Sequence, residues 1–124
     1  MSNAIAMVIA VLIRVESGGD ARAVGDCGRA VGILQQHKIS VAEANKIIGE
    51  RRWTYADRYD PAKSREMCRV TLERHWRRGV RDPVALACRW RNPNGRTPSW
   101  HRKKIERTMK EATYVKQITA DKEK

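Results

Sequence analysis

The sequence predicts a mainly α-helical domain of about five helices, interrupted once by a short irregular loop or hairpin. Apolar residues recur at three- and four-residue spacing through most of the chain. Asp60-Pro61 and Asp82-Pro83 each place a capping carboxylate before a proline suited to the first helical position. Gly25, Gly28 and Gly32 crowd into one stretch after the first helical run.

Residues 4–16 are apolar nearly all round, which marks a central buried helix, and Gly18-Gly19 ends it. Nothing basic precedes this run and no small-residue cleavage site follows, so it reads as a helix of the mature fold and not as a signal peptide. Residues 20–36, with Asp20, Asp26 and the clustered glycines, suit a tight loop or a small hairpin. Within them Val31-Gly32-Ile33-Leu34 fits either a strand or a buried loop. Ser40 and Glu43 have the spacing of a capping box, Val41, Ala44, Ile47 and Ile48 form a stripe, and Gly49 is a stop. Residues 50–59 read as a polar loop bearing Trp53, Tyr55 and Tyr59.

Asp60-Pro61 opens a helix to about Arg78 with Cys68, Leu72 and Trp76 on one face. Asp82-Pro83 opens the next, in which Leu86, Ala87 and Trp90 fall at helical spacing. Residues 91–97 are loop-like, and Pro98 opens a last helix with Trp100, Ile105, Met109 and Ala112. The expected organisation is one domain over residues 1–113 and a frayed, charged C-terminal tail over 114–124.

At 124 residues and 41% hydrophobic, the chain can bury one real core. No apolar run reaches the roughly 18 residues of a membrane span. With 26 Lys+Arg against 14 Asp+Glu, the net charge of +12 implies an anionic partner. No zinc-finger, RNP-like or KH-like pattern accompanies the charge, so nucleic acid is not the expected one. The three cysteines are an odd number, which argues against a closed disulfide framework. Cys68 and Cys88 read as small core hydrophobes, and a bridge to Cys27 stays open. No CxxC, HxxxH or HExxH spacing occurs, so neither a metal nor another cofactor is expected.

Glu16 is the residue that points to chemistry. It continues the stripe of Ile5, Val8, Ile9, Leu12 and Ile13 and ends the first helix. Apolar surroundings and the negative end of the helix macrodipole both disfavour a charged carboxyl. A carboxylic acid that keeps its proton is what a glycosidase uses as general acid. A solvated side chain on a frayed last turn is the plain alternative.

Glu16-Ser17-Gly18-Gly19, then Gly25-Asp26, then Val31-Gly32-Ile33-Leu34-Gln35 resembles the lysozyme-like lytic transglycosylases of the SLT type. Their first helix ends in Glu-Ser-Gly, and a Gly-Leu-Met-Gln-type segment follows. The later order of an Asp-Pro helix, a helix ending at Trp90 and an Asn/Gly loop is also similar, so the likeness spans roughly residues 5–110. Each half of the pair is weak alone; together at this spacing they are fairly specific.

The resemblance implies a lysozyme-like fold and cleavage of the β-1,4 bond between N-acetylmuramic acid and N-acetylglucosamine in peptidoglycan. Glu16 would be acid and then base, giving 1,6-anhydro-muramic ends. Ser17, Ile33, Leu34 and Gln35 would line the glycan groove, bordered by Tyr55 and Tyr59. The turn at Asp26 also resembles goose-type lysozymes, which are hydrolases, so Asp26 is a possible second carboxylate; a simple turn role is the favoured reading. Arg91 breaks the usual aromatic-Asn-Gly order, leaving open whether Asn92 or Asn94 meets substrate. Trp90 can pack the core, stack on a sugar, or both.

The expected partners are peptidoglycan glycan strands and anionic cell-wall polymers, bound by a monomer. The protein is expected to be made in the cytoplasm and to act on the wall after release or secretion, or as part of a virion. The rivals are a basic nucleic-acid-binding module and a wall-binding protein without turnover.

Overall fold

The computed structural model describes residues 3–122, with side chains described over residues 3–113. The architecture is mainly helical, as the periodicity requires. Five helices run in the order α1 (Asn3–Glu16), α2 (Lys38–Ile48), α3 (Pro61–Arg77), α4 (Pro83–Arg91) and α5 (Ser99–Lys122). Between α1 and α2 lies a two-stranded antiparallel hairpin, β1 (Val24–Gly25) and β2 (Ala30–Val31), paired Val24 to Val31 and Gly25 to Ala30. Of the segment 31–34 only Val31 is strand; Gly32, Ile33 and Leu34 form a buried turn, and a bridge from Val31 to Gln36 closes it.

Helix α1 is central because it can bury residues on several sides. Ile5, Val8, Ile9, Val11, Leu12 and Val15 are all buried, and the helix packs against α3, α4 and α5. Cys68 and Leu72 of α3, Leu86, Ala87 and Trp90 of α4, and Ile105 and Met109 of α5 complete this core. A second cluster of Val41, Ala44, Trp53 and Met67 fastens α2 and the following loop to α3. Trp53 is buried there because Asn45 grips its backbone. The Asn45 amide donates to the Trp53 carbonyl at 2.9 Å, and its oxygen accepts from the Trp53 N–H at 3.0 Å.

Both Asp-Pro starts form as the sequence requires. Asp60 accepts from the Lys63 N–H at 3.1 Å and Asp82 from the Ala85 N–H at 2.9 Å. Gly49, at φ +76°, ends α2 in the left-handed conformation. Cys68 and Cys88 are buried, Cys27 is exposed, and all three are unbridged.

One local expectation is corrected. The Ser40–Glu43 capping box does not form: α2 already starts at Lys38, because the Val31–Gln36 bridge delivers the chain directly into it. Ser40 instead receives the Gln36 amide at 3.4 Å, and Glu43 pairs with Arg74 at 2.6 Å. Trp100 belongs to α5, as expected, and is 64% exposed, while His101, one residue on, is buried. Helix α5 is assigned as far as Lys122, within the charged segment 114–124; residues 123–124 lie outside the described residues. Among the described residues, no helix is long and apolar enough to cross a membrane.

Candidate active site

The end of α1, the hairpin and the end of α4 are stitched together at one place. Ser17 Oγ donates to the Ile33 carbonyl at 2.7 Å and accepts from the Gly19 N–H at 3.1 Å, fixing the exit of α1. The Gly32 N–H donates to the Ala23 carbonyl at 2.9 Å. Gln35, held at φ +49°, donates its side-chain amide to the carbonyls of Ala23 and Gly32, both at 3.1 Å. The Trp90 indole N–H reaches across to the Leu34 carbonyl at 2.9 Å.

These bonds frame a cleft of about 810 Å³. Glu16, Leu34, Gln35, Trp90 and Arg91 line it from α1, the hairpin and α4. Ile39 and Glu43 of α2 face it, as do Arg74, His75 and Arg78 near the end of α3.

Glu16 is the chemically distinctive group in this cleft. Its side chain is only 2% exposed, although its residue lines the cavity. Oε1 lies 3.2 Å from Nε2 of His101, itself 2% exposed, and Oε2 accepts from Nη2 of Arg91 at 2.6 Å. Apolar walls and the helix end were legible around Glu16; the imidazole and guanidinium were not. Burial pushes the His101 imidazole below its usual range, and Arg91 acts in the same direction; the nearby Glu16 charge opposes both without cancelling them. Nδ1 of His101 is buried without a hydrogen-bond partner. Cys68 packs under the same corner: burial drives its thiol well up, and the Glu16 charge adds to the effect.

The remaining expected site residues are less uniform. Leu34, Gln35 and Trp90 line the cleft together with Glu16. Trp90 is also 8% exposed within the main core, so it serves both packing and wall. Ser17 and Ile33 do not line the cleft; the bond between them ties the end of α1 to the segment after β2. Tyr59 and Tyr55 are exposed and do not line the cleft. Asn92 caps α4 through its N–H on the Cys88 carbonyl at 3.1 Å and turns its amide to Thr97 at 3.4 Å. Asn94 accepts from the Arg96 N–H at 2.9 Å.

Asp26 lines the cleft at φ +50° with its carboxylate 3.1 Å from His37 and 3.6 Å from Arg29. It is a turn residue whose carboxylate lies beside the Arg29 guanidinium of the same turn and the His37 imidazole.

Sequence reasoning missed His101, His75 and Arg74. The signal for His101 was present: it is four residues before Ile105 on the stripe that continues to Met109 and Ala112. Among the described residues, no cluster of three or more His, Cys, Asp or Glu side chains is placed to hold a metal ion.

His75 is partly buried, and burial lowers its imidazole below the usual range, as do Arg89, Arg78 and Arg74; Glu43 pulls weakly the other way. Both His75 and His101 therefore take up protons more readily in the unfolded chain. Stability is full above an unfolded value of about 6.5 and is lost as pH falls from there through the lower folded values. Thermal melts between pH 8 and pH 5 should show this loss, and H75Q should lose less than wild type. An equal loss in H75Q would remove His75 from the account.

A family model described as the transglycosylase SLT domain matches residues 1–113. Comparison with curated proteins and with solved structures finds no match. The matched span runs from α1 through the buried part of α5, so it includes Glu16, the hairpin and every wall of the cleft. With a mainly helical, lysozyme-like fold and a near-complete match, the chain belongs to the transglycosylase SLT domain family and is an enzyme of the peptidoglycan lytic transglycosylase type.

Proposed function

We propose that the protein cleaves the β-1,4 bond between N-acetylmuramic acid and N-acetylglucosamine, with Glu16 as the single acid/base, and releases 1,6-anhydro-muramic ends. The observation that carries this reading is the Glu16 carboxyl, 2% exposed at the junction of α1, α4 and α5 beside the cleft. Glu43 and Asp26, the other carboxylates of the cleft, are 45% and 49% exposed and are paired with Arg74 and with His37.

In the reaction, protonated Glu16 gives its proton to the glycosidic oxygen as the bond to the muramic anomeric carbon breaks. The muramic 6-hydroxyl then attacks that carbon and returns its proton to Glu16. The nucleophile is tethered to the substrate, so one carboxyl suffices. Leu34, Gln35 and Trp90 form the wall against which the glycan is oriented. The surface charge of +12 supports retention on walls that carry anionic polymers. We place the action at the cell wall, reached after release, secretion or delivery with a virion.

A goose-type-like hydrolase is the second reading, because Asp26 also lines the cleft. Inverting hydrolysis requires a second carboxylate roughly 6.5–9.5 Å from the acid, free to activate water. Engagement of Asp26 with His37 and Arg29 opposes that role.

The two outcomes differ by one water in the product. Mass spectrometry of a sacculus digest should show anhydro-muramic ends, and D26N should keep most of the activity. Reducing ends together with a large loss in D26N would make Asp26 the base and the protein a muramidase.

A further inference from the structure

Glu16 lines the cleft, but neither of its oxygens is free in the arrangement described above. A carboxyl that is 2% exposed offers no approach to a glycosidic oxygen, and both of its oxygens are already engaged. One of its neighbours has to move. Leu34 is fully buried, His101 is 1% exposed, and Trp90 is tied to the Leu34 carbonyl at 2.9 Å. Arg91 differs from all of them. It is the last residue of α4, its side chain is 42% exposed, and it lines the cleft while its Nη2 rests on Oε2 at 2.6 Å. It is long and flexible, and it is the partner of Glu16 best placed to move into the cleft.

Taking the guanidinium away has a cost and a consequence. The cost is separating a cation from a nearly buried carboxylate, which is large unless another anion receives the cation. The consequence is that Oε2 is freed on the side of the cleft, leaving Glu16 with His101 on its other oxygen.

We infer that Arg91 is a substrate-operated latch, closed on Glu16 in the empty enzyme and drawn off by a carboxylate of the peptide stem on the incoming glycan. The inference rests on the reading of Glu16 as acid/base. It makes Arg91 a specificity-determining residue: strands with anionic stems open the site, and strands without them do not.

Three substrates separate charge from bulk: strands with free stem carboxylates, strands whose stem carboxylates are amidated, and strands stripped of stems by an amidase. Wild type should cleave the first at least about fivefold faster than the other two, the scale of one exposed ion pair. R91Q should narrow that ratio to below about twofold, chiefly by gaining rate on stem-free strands, because the exposed pair between Arg91 and the stem carboxylate that set the ratio is gone. R91K should retain the preference, since it keeps the charge. Equal wild-type rates on all three substrates would overturn the latch without any variant. So would loss of activity by R91Q on all three with an unchanged melting temperature. An E16Q control that still cleaves any of them would instead overturn the acid/base reading itself.

Discussion

Replacing Glu16 by glutamine is expected to lower sacculus clearance by about 10²–10⁴-fold, the usual range for loss of a positioned general acid. Glutamine keeps the shape of the side chain and its hydrogen-bonding capacity. Its oxygen can still accept from Arg91, and its amide can donate to the imidazole nitrogen 3.2 Å away. What it lacks is the proton to give and the charge to bury. The melting temperature should therefore stay the same or rise, because a nearly buried carboxylate is replaced by a neutral group.

The contrast between the two measurements is the informative part. Removing a merely structural ion pair would lower stability and leave turnover in the molecules that still fold. Turbidity loss of purified sacculi and a thermal melt on the same preparation make the comparison. Clearance by E16Q at the wild-type rate would remove Glu16 from the chemistry.

The helices were legible because their signals are local. Two Asp-Pro pairs and the glycine at position 49 act within a turn of the chain, and all three behave as such residues do in isolation. The Ser40–Glu43 box is equally local, yet it lost to a tertiary constraint: the bridge from Val31 to Gln36 starts α2 earlier. Glu16 was legible because it continues a stripe that five apolar residues define. Its partners were not. His101 is 85 positions away and Arg91 is 75, and only the packing of α4 and α5 onto α1 brings them to the carboxyl.

The same limit explains the mixed fate of the expected groove residues. Spacing identifies the Gly-x-x-Gln segment but cannot say which of its polar atoms face the cleft. Gln35 lines the cleft, yet its amide nitrogen is occupied with the Ala23 and Gly32 carbonyls. Ser17 bonds to the Ile33 carbonyl, and neither residue lines the cleft. In this segment much of the polar chemistry builds the site.

That division makes Gly32 the most sensitive point of the segment, and G32A should be the most damaging single-methyl change near the site. Gly32 is at φ +83°, where an L side chain is strained by roughly 1–2 kcal/mol. A Cβ there would also run into the backbone carbonyl oxygen of Arg58, with the carbonyl carbon only 3.1 Å away. Backbone cannot rotate aside as a flexible side chain can, and overpacking of this kind costs typically about 1–3 kcal/mol more. The Arg58 backbone is itself held, because its side chain donates to the Tyr55 carbonyl at 2.8 Å and to the Gln36 carbonyl at 3.2 Å. Relief would have to come from the hairpin, which carries Leu34 and Gln35 into the cleft wall. G32A should therefore lose about 2–5 kcal/mol of stability, and activity should fall in the fraction that stays folded. Gly28 supplies the control, since it has a similar φ of +86° but nothing within 4 Å of an added Cβ. G28A should cost only the conformational strain, about 1–2 kcal/mol, and leave the cleft intact. Denaturant melts of the two variants isolate the close approach as their difference, and equal losses would show that the Arg58 carbonyl yields.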